Sequence, residues 1–208
     1  MLRYVRGRDL HLFPRLQETM FTDRTCQFRD RLGWPVHVDG RGWEQDEYDG
    51  PDPIYVIWQR PDGRHEGSMR FLPTDGPHML ADHFSHLSAR RICDPLVWEC
   101  TRFCLSRDAA PTVSAALMLA GCELGMGFGL EASVGVFDRR MVRVYRALGW
   151  PPEILGSDGR GGDAIHLGLW RFSEDRRRVL ASRAGISPGL SRLWFERGFR
   201  AEDLRRAG

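Results

Sequence analysis

The chain contains no lysine: all 30 basic side chains among its 208 residues are arginine, set against 28 acidic ones. A surface built this way presents planar, permanently charged guanidinium forks suited to carboxylates and phosphates. The net charge of only +2 lacks the basic excess of a nucleic-acid-binding protein, so no nucleic-acid partner is expected. No apolar run approaches the ~20 residues of a membrane span. The opening residues carry Arg3, Arg6, Arg8 and Asp9 where a secretory leader would be apolar. Cysteine is sparse and unpatterned: Cys26, Cys93, Cys100, Cys104 and Cys122 are odd in number and include no C-x-x-C pair, which fits a reducing compartment. Together these absences predict a soluble, cytoplasmic protein without membrane insertion. His78, His83 and His86 with Cys93 match no common zinc spacing, so no metal is expected.

What is present centres on Val97 to Leu105, V-W-E-C-T-R-F-C-L, which reads as a buried strand yet carries Glu99 and Arg102. Charges removed from water cost several kcal/mol each unless paired, so these two either neutralise partners or face a cavity. Strand residues three apart point to opposite faces unless a bulge intervenes, which predicts charge offered to both sides of the sheet.

A folded chain of this mass, 23.9 kDa, exposes roughly 10,000 Å² against about 35,000 Å² unfolded, enough burial for one core and a single domain over residues 1–208. Leu2 to Val5 reads as a strand, and Asp9 as the N-cap of a helix burying Leu12, Phe13, Leu16 and Met20. A second helical piece spans Arg24 to Trp34, and residues 39–53 form an acidic loop. Ile54 to Gln59 and Glu66 to Leu72 are strands joined by Pro61-Asp62-Gly63. Thr112 can cap a helix through Leu124, Glu131 to Phe137 is a strand, and a helix after Asp138 turns Met141, Val144, Tyr145 and Leu148 inward. Ala164 to Phe172 is a late strand, with arginine-rich helices beyond it. Strands alternating with helices predict an α/β sheet covered on both faces.

Charged residues in unexpected places are Arg24, Asp46, Asp49, Arg70, Glu99 and Arg102, which form one cluster if their segments meet. In order along the chain stand Arg24, Phe28 and Trp34; Asp46-Glu47-Tyr48-Asp49; Gly67-Ser68-Met69-Arg70 leading to Pro73-Thr74; Met79, Leu80 and Phe84; and Glu99-Cys100-Thr101-Arg102. This ordered set resembles the acyl-homoserine lactone synthases, the enzymes that make the diffusible autoinducers of bacterial quorum sensing. It covers residues 24–103 and continues more weakly to about Gly156.

The resemblance implies an acetyltransferase-like three-layer α/β/α sandwich with a splayed, mixed central sheet, its N-terminal segment of about 1–53 capping the substrate. It implies transfer of an acyl group from acyl carrier protein, or from acyl-CoA, to the amine of S-adenosylmethionine, a substrate here, with no cofactor. Lactone closure then releases methylthioadenosine. By the same carry-over Arg24, Phe28, Trp34 and Arg102 lie around S-adenosylmethionine, and Asp46, Asp49 and Arg70 form a salt-bridged clamp. Glu99 is the candidate base, with Arg102 beside it as a catalytic residue. An α-amine of pKa near 7.7–8.0 needs only ~1 kcal/mol to lose its proton at pH 7, so Glu99 is expected mainly to hold that amine. Phe84, Trp98, Met118 and Phe137 are candidate walls of the acyl pocket.

Two departures from the pattern bear on the donor and the acyl group. Arg107 to Thr112 reads R-D-A-A-P-T in place of the glycine-rich phosphate turn of ordinary acetyltransferases, which favours a carrier protein docked on Arg139, Arg140, Arg143 and Arg146. Val136-Phe137-Asp138 stands where members using 3-oxo chains have threonine, which removes a donor for a keto oxygen. Other readings are an N-acyltransferase of the same fold using acetyl-CoA, an acyl-ligand sensor that has kept the pocket and, weaker still, a hydrolase with a nucleophile, for which Cys100 has no motif-placed histidine.

Overall fold

The computed structural model describes residues 1–161 and 164–199. Seven strands form one mixed sheet in the order β1-β2-β3-β4-β5-β7-β6. They are β1 (Leu2–Arg6), β2 (Ile54–Gln59), β3 (His65–Pro73), β4 (Val97–Leu105), β5 (Ala132–Asp138), β6 (Glu153–Asp158) and β7 (Ile165–Arg171). All neighbours are antiparallel except β4 and β5, whose parallel pairing covers only Val97–Glu99 against Ala132–Val134. Beyond Glu99 the two strands part, leaving a fork in the middle of the sheet: the splay that the resemblance implied.

Alternation along the strands divides the core between the two faces. Tyr4, Ile54, Val56, Met69 and Phe71 face α3 (Val113–Gly127) and α6 (Pro188–Gly198), whereas Val5, Tyr55 and Ile57 face α1 (Pro14–Arg24). Further along the sheet Phe137 and Trp170 pack with α4 (Met141–Leu148) and α5 (Glu174–Ala184). On the opposite face Val134 and Leu167 pack under the short helix α2 (Met79–His83) and Leu87. The result is the expected three-layer sandwich. Glycines let α3 lie close to its neighbours: a Cβ on Gly121 would stand 3.2 Å from both Met69 and Phe71, and one on Gly125 would stand 2.4 Å from the Phe172 ring.

Several local expectations are corrected. The first helix begins at Pro14, which occupies the first-turn position that needs no N–H, and is preceded by a 3-10 segment over Gly7–Leu12. Asp9 therefore caps nothing, and Leu12 is 63% exposed. α1 runs straight into a π-helical stretch, Thr25–Arg31, so the two helical pieces form one continuous arm that stops before Gly33 (φ +68°). Thr112 precedes α3 without a side-chain cap, and Val144 is 37% exposed. The sequence pattern missed β6 because this edge strand is exposed along most of its length and carries no alternation to read. Gly185-Ile186-Ser187-Pro188-Gly189 has the spacing of a hydrolase nucleophile elbow, but it joins two helices, and Ser187 accepts from the Leu190 N–H as the cap of α6.

Candidate functional site

Arg102 has φ +52°, rare for a side chain without local reason, and sits where the β3–β4 register slips. Ser68 pairs with Cys104 but Arg70 with Thr101, so β4 carries one extra residue opposite Met69, a bulge. Its effect is specific. Glu99 and Thr101 face the α1–α2 side of the sheet, and ordinary alternation would turn Arg102 away from them. The bulge swings Arg102 onto their face and sends Phe103 to the other. The expectation that β4 offers charge to both faces is thereby overturned, and the strained backbone, costing ~1–3 kcal/mol, sits beside a cavity.

Three guanidinium groups and three carboxylates close into an alternating ring on this face. Arg24 Nε donates to Glu44 Oε2 (2.5 Å), and Arg102 Nη2 reaches Glu44 Oε1 (2.9 Å) and Asp46 Oδ2 (2.7 Å). Arg70 binds Asp46 through both terminal nitrogens and Asp49 through Nη1 (2.8 Å), and Asp49 returns to Arg24 by two bonds of 2.9 Å. Arg24 and Glu44 are 1% and 0% exposed, and Arg70 is 0% exposed. Burial alone would raise the Asp49 pKa, but Arg24 and Arg70 hold it well below the usual carboxylate range. A capping box between Asp46 and Asp49 folds this part of the acidic loop into a 3-10 turn and aims both carboxylates inward.

The ring joins Arg24, Arg70, Arg102, Asp46 and Asp49 as expected, but its sixth member is Glu44. Glu44 falls in the acidic loop of residues 39–53, a composition that reads as solvated. Its signal was available, since Glu44 and Asp46 are two apart on extended chain and so point the same way.

Glu99 stands outside the ring. Its carboxylate accepts the backbone N–H groups of Met79 and Leu80 (2.8 Å each), and it is 1% exposed. The ring is balanced within itself, and among the described residues no side-chain cation forms an ion pair with Glu99. Burial pushes its pKa up to about 7, against the lowering effect of the two N–H bonds and Arg70.

A cavity of about 890 Å³ runs past these groups. One end lies under the N-terminal arm, where Phe28 stacks on Trp34 (5.2 Å, 12°) and the Arg102 guanidinium lies 5.4 Å over the Phe28 ring. The cavity passes Glu99 to Phe103 at the strand fork and opens into a chamber walled by Phe71, Phe137, Tyr145, Trp150, Trp170 and Phe172. Phe84, Met118 and Phe137 line it; Trp98 does not. By alternation Trp98 faces away from Glu99 and packs on Phe128 (5.4 Å) in the core under α3. Cys100 lines the cavity, but burial pushes its thiol up to about 12, so it is not a thiolate nucleophile. Among the described residues no group of three His, Cys, Asp or Glu side chains is arranged to hold a metal, and no helix is long and apolar enough to cross a membrane.

Comparison with known proteins gives consistent results. The family model for autoinducer synthases matches residues 12–180. An acyl-homoserine-lactone synthase of Rhizobium etli is 40% identical over 195 residues, covering 90% of this chain and 91% of that protein. A CoA-dependent acyl-homoserine lactone synthase, solved with S-adenosylmethionine and isopentyl-CoA, superposes with a TM-score of 0.84 at 25% identity over 100% of this chain and 98% of its own. An N-acetyltransferase from Lactobacillus plantarum shares the fold, with a TM-score of 0.55 at 14% identity over 83% of this chain and 99% of its own.

Proposed function

The chain belongs to the autoinducer synthases, acyltransferases that join an acyl group to S-adenosylmethionine and close a homoserine lactone, and on that premise we propose how its own residues divide the work. The observation that carries the proposal is the single cavity running from the N-terminal arm, past Glu99, through the strand fork and into an aromatic chamber. It has room for two substrates meeting at the fork.

S-adenosylmethionine lies at the arm end, its adenosyl part against the Phe28–Trp34 stack and its amine directed at Glu99. Arg102 attracts its carboxylate, while Arg24, Arg70, Glu44, Asp46 and Asp49 fix Arg102 and hold the arm on the sheet. The acyl chain lies in the chamber beside Met118 and Phe137, with Phe84 near the junction. The amine nitrogen attacks the thioester carbonyl, the carbon–sulfur bond breaks, and the thiol leaves with one proton while a second goes to solvent by way of Glu99. The carboxylate oxygen of the acylated product then attacks the carbon bonded to the sulfonium. That step neutralises both charges, closes the lactone and frees methylthioadenosine. Mass spectrometry of extracts from cells expressing the chain should show a homoserine-lactone fragment, and cells carrying Glu99→Ala should not. Equal signals from both would remove Glu99 from the mechanism.

For the donor we propose acyl carrier protein. A pyrophosphate captured at the start of α3 would need free backbone N–H groups, but that of Ala110 already donates to Glu66 Oε1 (2.9 Å), and those of Val113 and Ala116 donate to the Ala110 and Thr112 carbonyls (3.0 Å each). Arg139, Arg140, Arg143 and Arg146 are exposed near the other side of the chamber, and Arg140 lines the cavity. The CoA-dependent neighbour favours the alternative donor. Reversing Arg139 and Arg143 to glutamate should raise the Michaelis constant for an acylated carrier protein ~10-fold and leave that for the same acyl-CoA unchanged. A constant unmoved for the carrier, or acyl-CoA proving the better substrate, would select coenzyme A.

A further inference from the structure

The chamber holds two hydroxyl groups for which the reaction has no use. Tyr145 of α4 and Ser133 of β5 are 6% and 5% exposed, and both line the cavity. Neither oxygen has a hydrogen-bond partner among the described residues, and both open onto the cavity. The other polar groups nearby are occupied: Trp170 Nε1 donates to the Trp150 carbonyl (3.1 Å), and the Cys100 thiol lies 3.7 Å from the Met69 sulfur. The Tyr145 ring packs among Trp170, Phe137 and Phe103 at 4.9, 5.1 and 6.5 Å between centroids, and the charged group near it, Asp138, already accepts from the Arg140 N–H. The two residues belong to one wall. Ser133 pairs with Trp170 across the sheet, and the Trp170 ring touches Tyr145.

Water can satisfy both hydroxyls while the chamber is open. An acyl chain that fills the space expels that water, and a plain hydrocarbon chain then leaves two buried oxygens without partners, which costs binding. A chain bearing its own oxygen restores the bonds. Sites built to hydrogen-bond a substrate oxygen reject the analogue without it far more strongly than apolar sites discriminate by size. Resting on the synthase reading above, we propose that this enzyme takes an acyl thioester whose chain carries a hydroxyl or keto oxygen, with Tyr145 and Ser133 as the residues that select it. The lack of a hydroxyl at Val136-Phe137-Asp138 argued against a keto chain. The donors come instead from α4 and from the paired start of β5, which a reading confined to the strand end could not see.

The test uses the purified full chain and donors of equal chain length on one carrier: unsubstituted, 3-hydroxy, 3-oxo and terminally hydroxylated, with methylthioadenosine release as the readout. The expected result is that one oxygenated donor exceeds the unsubstituted one in kcat/KM by ~10-fold or more, and which arm wins identifies hydroxyl or keto. Tyr145→Phe keeps the ring and removes only its oxygen, so it should lower that ratio ~10-fold, and Ser133→Ala should lower it by a smaller factor. A wild type that prefers the unsubstituted chain, or a ratio unchanged in both variants, would overturn the assignment while leaving the synthase reading intact. Methylthioadenosine released with no donor at all would overturn both.

Discussion

Glu44→Ala should lower the stability of the fold by ~3–5 kcal/mol, because it leaves the buried Arg24 and the largely buried Arg102 each short of an acceptor. Glu44 is 0% exposed and bridges Arg24 Nε (2.5 Å) to Arg102 (2.9 Å), so its loss opens the ring at two points. An exposed pair of the same composition contributes only ~0–1 kcal/mol, and this gap in magnitude makes the measurement decisive. In thermal unfolding the midpoint should fall by roughly 6–20 °C for a chain of this size. The loss should also persist at high salt, since burial keeps counter-ions from the ring. A fall of under ~1 kcal/mol would show that the carboxylate is solvated and the ring dispensable.

Glu44 also illustrates what a linear reading can and cannot reach. The fold was legible because its strands carry apolar alternation and its long helices carry apolar stripes, and the fork was legible only through the resemblance. Glu44 was misread because acidic residues between glycines and prolines are usually hydrated; only the arginines, supplied by α1, β3 and β4, turn that loop inward. Arg102 shows the same limit. Its role depends on a one-residue slip against β3, which nothing local in V-W-E-C-T-R-F-C-L announces.

Trp98 and Tyr145 are complementary cases. Both are large aromatic residues, and sequence places Trp98 among the pocket walls and Tyr145 on the inward face of a helix. Alternation carries Trp98 to the core under α3, whereas Tyr145 reaches the cavity across the gap that the parted strands leave. Pocket walls are set by which elements converge, so side chains far apart in sequence meet there. The charged ring was easier to foresee, since each of its members is costly to bury alone and therefore implies the others.

Glu99→Gln should reduce kcat/KM at pH 7 by ~10²–10³-fold, in keeping with the loss of the charged group that positions the attacking amine. The structure adds a pH signature. With a carboxyl pKa near 7 in the free protein and an amine pKa of 7.7–8.0, the wild-type kcat/KM should rise through pH 7 as Glu99 ionises and becomes able to hold the ammonium group. The glutamine variant should lack that rise, and its deficit should persist at pH 9. Recovery of most activity there would make proton removal the main role of Glu99. Stability must move in the opposite direction. A carboxyl raised from about 4.5 to about 7 by folding stabilises the native state fully below 4.5, and that contribution is lost as pH rises to 7. Over that window the stability of wild type relative to Glu99→Gln should fall by ~3 kcal/mol, measurable as diverging urea midpoints. The same burial that leaves Glu99 in search of a cation thus destabilises the empty enzyme at the pH where it works, and binding of the substrate ammonium relieves that strain. Added S-adenosylmethionine should therefore raise the wild-type midpoint most between the two pKa values, at about pH 7.4, and raise that of the glutamine variant by less, through Arg102 and the Phe28–Trp34 stack alone. Equal shifts for the two proteins would place the amine elsewhere.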